Sequence, residues 1–327
     1  MLLSFGTSAP EFKNIKGWIN SEPLTVRQLR GKVVLLDFWT YSCVSCVRTL
    51  PHLKELWEKY SEDKLVIIGI HTPEFEFERI PENVKAAVEK FGIKYPVALD
   101  SDNTTWHLYG NQYWPRQALL DSRGSKRFDH AGEGGYAEIE ENIVELLKET
   151  GVQIKTRIDK MDRDEKLSSY KYFTSISPET YTGSGRSRGF GNSQVCVPGS
   201  CIRFIDRGTH EPNKVYLNGD WTQEQERIHH PTEEEAHVVM KYSAKQVNAV
   251  LAPFSEGKYK VFVYIDGKPL TREQAGRDIK FTRDARSFVQ VDSPQMFELI
   301  DTQSTQTHEV KIVSDSPEFT LYTFTFG

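Results

Sequence analysis

The sequence predicts two unlike domains in one chain: an α/β domain, a central sheet flanked by helices, followed by an all-β domain of the jelly-roll or β-sandwich kind. Three observations carry this. Buried-strand and amphipathic-helix patterns alternate up to about residue 150. Beyond it the pattern shortens to strand-like runs between turn residues. A chain of 327 residues gives each half room for its own core.

In the first half, Val33 to Trp39 (VVLLDFW) is a continuous apolar, β-branched run of strand length, as in a strand covered on both faces. Val44 to Tyr60 follows, with Val47, Leu50, Leu53, Leu56, Trp57 and Tyr60 at helical spacing. Leu65 to Ile70 is a second buried strand, and Glu82 to Phe91 a helix with Val84, Ala87, Val88 and Phe91 on one face. Short strands are expected at Val97–Leu99, Gln117–Asp121 and Arg127–His130, then a helix from Tyr136 to Lys148. Strand, helix, strand in that order implies parallel pairing.

The first domain is therefore assigned to residues 1–150, a linker to 151–213 and the sandwich to 214–327. Within the linker, 183–193 (GSGRSRGFGNS) reads as a flexible Gly/Ser/Arg-rich loop. Strands are expected at Lys214–Leu217, His237–Tyr242, Lys258–Ile265, Ser287–Val291, Phe297–Ile300, Glu309–Val313 and Phe319–Phe326. Asn218-Gly219 and Asp266-Gly267 read as turns.

Composition narrows the function. Aromatics at 12% argue against a disordered chain, and 38% hydrophobic residues with no long apolar run argue against a membrane span. A net charge of −5, with no basic excess in either half, argues against nucleic acid as partner. The first residues, MLLSFGTSAP, have no positive n-region. As written, the chain reads as cytoplasmic, or as extracytoplasmic if an export segment precedes it.

The strongest chemical signal is Cys43-Val44-Ser45-Cys46, at the start of a helix entered directly from the buried DFW strand. A helix N-terminus presents unpaired amides and the positive end of the dipole, which favour a thiolate at Cys43. Cys46, one turn deeper, is placed to resolve a mixed disulfide formed there. The competing readings are a structural disulfide and half of a zinc site. Zinc needs two more ligands, and Cys196 and Cys201 lack the usual spacing.

Residues 1 to about 150 resemble a thioredoxin-fold domain of the TlpA/ResA type. The resemblance rests on Leu29-Arg30-Gly31-Lys32-Val33-Val34-Leu35, the DFW strand, the Cys-x-x-Cys and Pro51 five residues after Cys46. WTYSCVSC (39–46), HTPEFEFE (71–78), QYWP (112–115) and GEGGY (132–136) are more specifically similar to the thioredoxin-like half of DipZ-type thiol–disulfide proteins. SPETY (177–181), LNGDW (217–221), YIDGKP (264–269) and the ending FTFG (324–327) resemble the carbohydrate-binding-module-like sandwich appended in that family.

The resemblance implies a redox-active disulfide between Cys43 and Cys46, with Asp37 as the buried acid behind them. Its carboxyl, desolvated in an apolar strand, is expected to titrate high and to exchange a proton with Cys46. Glu74 matches an acid that such proteins place near the cysteines, although Glu76, Glu78 and Glu82 make a solvated acidic face an equal reading. Pro115 takes the place of a cis-proline facing the site, with the Trp114 backbone pairing to an extended substrate segment. Trp39 joins them as a supporting residue. Two departures stand out: the membrane electron conduit of DipZ proteins has no counterpart in this sequence, and Ser42 precedes the first cysteine where thioredoxins usually carry Trp.

Cys196-Val197-Pro198-Gly199-Ser200-Cys201 centres Pro-Gly, the pair preferred in a type II turn. A small structural disulfide between Cys196 and Cys201 is the leading reading, ahead of two free thiols and a second redox relay. His229, His230 and His237 flank Glu233 to Glu235, but a loop of solvated charges is the plainer reading there, and neither a metal nor a cofactor is expected.

The function that follows is a thiol–disulfide oxidoreductase, with protein thiols or disulfides and an unidentified electron donor as partners. One alternative is a redoxin-type thiol peroxidase, although no Pro-x-x-x-Thr/Ser-x-x-Cys motif precedes Cys43. The other is a glycan- or protein-binding module carrying an accessory thioredoxin domain, with Trp221, Tyr242, Tyr259 and Tyr264 as candidate sugar-stacking aromatics.

Overall fold

A computed structural model describes residues 8–154 and 176–327, which fall into two compact units. In the first, β1 (Trp18–Ile19) is followed by β2 (Val33–Trp39), α1 (Val44–Tyr60), β3 (Leu65–His71), α2 (Pro81–Phe91) and β4 (Val97–Leu99). Then come α3 (Thr104–Leu108), β5 (Arg116–Leu120), β6 (Lys126–Ala131) and α4 (Tyr136–Glu149). The sheet order is β1-β4-β3-β2-β5-β6.

Strand β2 is buried along its whole length because it lies inside the sheet, parallel to β3 and antiparallel to β5. Its alternate residues Val34, Leu36 and Phe38 join a core with Ile68, Ile70, Trp106 and Tyr109. By the period of two, Asp37 and Trp39 point to the opposite face. Trp39 stands directly before the turn into α1, which buries Leu50, Leu53 and Leu56. Pro51 lies inside α1 and supplies no N–H to the Val47 carbonyl. Gly69 is obligatory in β3: a Cβ there would stand 2.9 Å from Trp39 Nε1.

The expected helices and strands of this half are all present, within two residues at their ends. Besides two 3-10 turns, Ser61–Asp63 and Glu76–Arg79, two elements were not expected, β1 and α3. Each is too short to show a period.

The second unit is antiparallel throughout its named strands. It runs β7 (Thr180–Tyr181), β8 (Cys201–Phe204), β9 (Val215–Gln223), β10 (Ile228–His229), β11 (Ala236–Leu251), β12 (Tyr259–Ile265) and β13 (Lys268–Pro269). After these come β14 (Lys280–Phe281), β15 (Ser287–Val291), β16 (Gln295–Ser314), β17 (Thr320–Leu321) and β18 (Thr323–Phe326). These strands wrap around one core that includes Leu217, Trp221, Val238, Val261, Leu299, Ile312, Phe319 and Phe324.

Several expectations for this half are corrected. Long strands replace short ones: β11 has 16 residues and β16 has 20, the latter absorbing both Phe297–Ile300 and Glu309–Val313. The exposed polar middle of β16 hides their continuity. Asp266-Gly267 does turn the chain between β12 and β13, both residues at positive φ. Asn218-Gly219 instead lies inside β9, where Gly219 at φ +97° marks a change of partner, from β11 to β8.

The sandwich also begins well before residue 214. β7 pairs with β18 and β8 with β9. The Gly/Ser/Arg segment is tied down rather than loose, through Ser184 N–H to Glu224 O (2.8 Å), Gly185 N–H to Gln225 O (2.9 Å) and Gly191 N–H to Val215 O (2.8 Å). Backbone ladders to β9 and its following turn supply an order that side-chain composition does not advertise. The remainder of the expected linker, 155–175, lies outside the described residues.

Candidate active site

Strand β2 delivers the chain to the site. Past Trp39 the backbone turns through Thr40, Tyr41 and Ser42, all buried, into Cys43, the N-cap of α1. Cys43 has extended backbone angles, and its sulfur accepts the Cys46 N–H at 3.2 Å. One of the helix's otherwise unpaired amides is thereby spent on sulfur. Cys46 lies one turn deeper and is 1% exposed, against a half-buried Cys43. Both are free thiols, and Cys46 Sγ stands 2.6 Å from Cys43 Sγ.

Burial pushes the Cys46 thiol well up, and its contact with Cys43 and the charge of Asp37 add to the push. Asp37 is 1% exposed, and its carboxyl accepts a 2.7 Å hydrogen bond from Gln117 Nε2 directly across the β2–β5 pair. Burial raises it to about 7, against the smaller downward pull of Gln117. Asp37 therefore lies buried in β2 with its carboxyl pushed up.

The Trp114–Pro115 bond is cis. Because Arg116 pairs with Phe38, Pro115 stands level with the end of β2, where the chain leaves for Cys43. The Trp114 ring packs on Trp106 with centroids 4.3 Å apart. Trp39 is fully buried, edge-on to His71.

The acid that reaches the cysteine-bearing turn is Glu78, which sequence reasoning passed over among its acidic neighbours. It is fully buried, and its Oε1 accepts from Thr40 Oγ1 (2.5 Å), Ser42 Oγ (2.7 Å) and Ser42 N–H (3.2 Å). Its Oε2 accepts from the N–H groups of Glu74 (2.7 Å) and Phe75 (3.0 Å). Glu74 is half-buried and serves this arrangement through its backbone. Glu76 and Arg79, by contrast, form an exposed pair on the short 3-10 turn at Glu76–Arg79. The signal available in HTPEFEFE was Phe75 and Phe77, both buried beside Glu78, while Glu76 faces out.

In the second unit, Val197 O accepts from Ser200 N–H at 3.0 Å, and Gly199 has φ +79°, as a type II turn requires. Cys196 is half-buried and Cys201 exposed, both free thiols. Of the candidate sugar-stacking aromatics, Trp221, Tyr242 and Tyr259 are core residues, so no sugar ring can reach their faces. The histidine cluster is likewise spent: His229 bonds Pro317 O, and His230 bonds the carbonyls of Asp220 and Glu234. Among the described residues, no group of three or more metal-ligating side chains converges, and no helix is long and apolar enough to cross a membrane.

Residues 177–327 match the family described as a thioredoxin like C-terminal domain, and residues 5–125 the AhpC/TSA family. Protein DipZ of Mycobacterium tuberculosis is 35% identical over 278 residues, 84% of this chain and 39% of DipZ. Thiol-disulfide oxidoreductase YkuV of Bacillus subtilis is 32% identical over 142 residues, 43% of this chain and 95% of YkuV. A solved thiol-disulfide isomerase from Corynebacterium glutamicum is 27% identical, with a TM-score of 0.39, over 42% of this chain and 96% of its own. The chain thus spans well under half the length of the DipZ proteins it matches.

Proposed function

The chain belongs to the thioredoxin-like thiol–disulfide oxidoreductases, with a DipZ-like β-rich domain after the redox domain, and on that footing we propose that Cys43 and Cys46 exchange a disulfide with cysteines of partner proteins. The observation that carries this is the asymmetry of the pair: an accessible sulfur on a helix N-terminus, and a buried thiol beside it within reach of a buried acid's charge.

The Cys43 thiolate attacks one sulfur of a partner disulfide, and the other sulfur leaves as a thiolate that takes up a proton. Cys46 then attacks Cys43 Sγ, releasing the second partner sulfur and closing the Cys43–Cys46 disulfide. Burial holds Cys46 as a thiol, so its attack needs a base. Asp37, raised to about 7, accepts that proton near neutrality. Two electrons pass from the chain to the partner, and an electron donor restores the dithiol. The same steps in reverse oxidise a partner dithiol.

Trp114 and Pro115 are proposed to take the substrate's backbone as an added strand, a role supported by their level with the end of β2. Trp39 holds the turn from beneath. Cys196 and Cys201 are proposed to close a structural disulfide across their turn, which would mark an oxidising compartment if found intact in protein from its own cells. The AhpC/TSA match is the one observation favouring peroxide reduction, but Thr40, three residues before Cys43, commits its hydroxyl to Glu78.

The test is Cys46→Ser incubated with a disulfide-bonded protein. We expect a stable mixed disulfide at Cys43, absent in Cys43→Ser. No adduct in either variant contradicts the scheme.

A further inference from the structure

Glu78 takes no part in the exchange steps, yet it is a fully buried carboxylate, and among the described residues no cation pairs with it. Burying such a charge is costly unless hydrogen bonds replace its water. Five do, and they divide by oxygen: Oε1 serves Thr40 and Ser42, and Oε2 serves the backbone of Glu74 and Phe75. The first segment leads directly into Cys43, and the second follows β3. Both are connections beyond the ends of the sheet ladder, joined to it by a Thr72 N–H to Trp39 O bond of 3.0 Å.

Resting on the thiol–disulfide reading above, we propose that Glu78 is a positioning residue for Cys43: its carboxylate clasps the 40–42 turn to the 74–75 segment and so fixes the sulfur at the start of α1. The donor pattern favours an anion. A glutamine has one carbonyl oxygen: kept on the Glu74 and Phe75 N–H groups, it turns its NH2 toward Thr40 and Ser42, whose hydroxyls can accept, while the Ser42 N–H is left without its acceptor. A protonated carboxyl loses acceptor capacity in the same way.

The titratable groups around the clasp are few. Glu74 adds its charge to the burial that raises Glu78 to about 7. His71, 3.4 Å from Thr40 Oγ1, is held neutral by burial, its pKa lowered to about 3. Cys43 itself lies one peptide beyond Ser42. The clasp is therefore complete above neutrality and loosens in acid. Asp37 titrates in the same range, so the two must be separated by variants.

The experiment follows reduction of insulin disulfides by the pre-reduced whole chain between pH 5.5 and 9, for wild type, Glu78→Gln, Asp37→Asn and Ser42→Ala, with a melting curve for each. We expect Glu78→Gln to fold and to be slower at pH 8 by about tenfold, the rate equivalent of one buried hydrogen bond lost. It should also lose part of the acid limb that Asp37→Asn retains, a change that a purely structural role does not produce. A folded Glu78→Gln with wild-type rate and pH profile overturns the role. If Glu78→Gln does not fold, Ser42→Ala decides: a rate lower by about threefold supports the clasp, and an unchanged rate overturns it. A wild-type chain that reduces no disulfide overturns the parent reading and this role with it, whereas an active wild type beside an unaffected variant overturns this role alone.

Discussion

Asp37 is 1% exposed in its folded position, with a hydrogen bond from Gln117 in place of water. Its pKa rises from 3.8 to about 7 on folding, so between those values the folded chain holds a proton that the unfolded chain has released. The stability this supplies is complete below about 4 and is lost as pH rises through about 7. Asp37→Asn removes that loss. We expect the variant to be more stable than wild type at pH 8, with a ceiling of about 4 kcal/mol at roughly 1.4 kcal/mol per pH unit. The gain should shrink as pH falls and vanish below about pH 4, as read by denaturant unfolding; a gain independent of pH contradicts the burial argument. Asp37 was legible from sequence because an acid inside VVLLDFW has nowhere solvated to go. Glu78 was not, because the 3-10 turn at Glu76–Arg79 has no helical period to sort one glutamate from the next.

At the level of elements, the first unit was readable because each segment obeys one rule along its length. β2 is apolar throughout, and α1 repeats its leucines on one face. The second unit breaks its own rules midway. β16 loses its buried pattern for several residues and resumes it, so one strand reads as two. β9 changes partners at Gly219, so a bend within a strand reads as a hairpin turn. Gly219 also tests this account. Its φ of +97° and the 2.8 Å that a Cβ would leave to Ala236 Cβ make alanine both strained and crowded. Gly219→Ala should cost about 1–3 kcal/mol, lowering the denaturant midpoint of the second unit while thiol exchange at Cys43 and Cys46 proceeds as in wild type. An unchanged midpoint contradicts the bend. The buried Trp221, Tyr242 and Tyr259 carry the same lesson: alternation along a strand states which residues share a face, and only the tertiary fold states which face is covered.

Across the whole molecule, the chemistry of exchange gathers in the first unit, while the second contributes a separate core and a second pair of cysteines. The motifs that linked both halves to DipZ-type proteins were visible in the sequence because they are strings of turn, cap and aromatic residues. What they could not convey was how the chain between them folds: residues 176–213 join the β domain through backbone bonds, through the Asn192 side chain on Leu217 and through Phe204 in the core. The central claim is that the whole chain carries an exchangeable two-electron couple at Cys43 and Cys46. It is tested most directly by equilibrating this chain of 327 residues across a range of thiol–disulfide ratios, then alkylating and counting free thiols by peptide mass, with Cys43→Ser alongside. We expect Cys43 and Cys46 to lose and regain alkylation together as one reversible couple, abolished in Cys43→Ser, with Cys196 and Cys201 titrating separately from it. Cys43 and Cys46 that stay reduced, or stay oxidised, across the entire range would contradict the account.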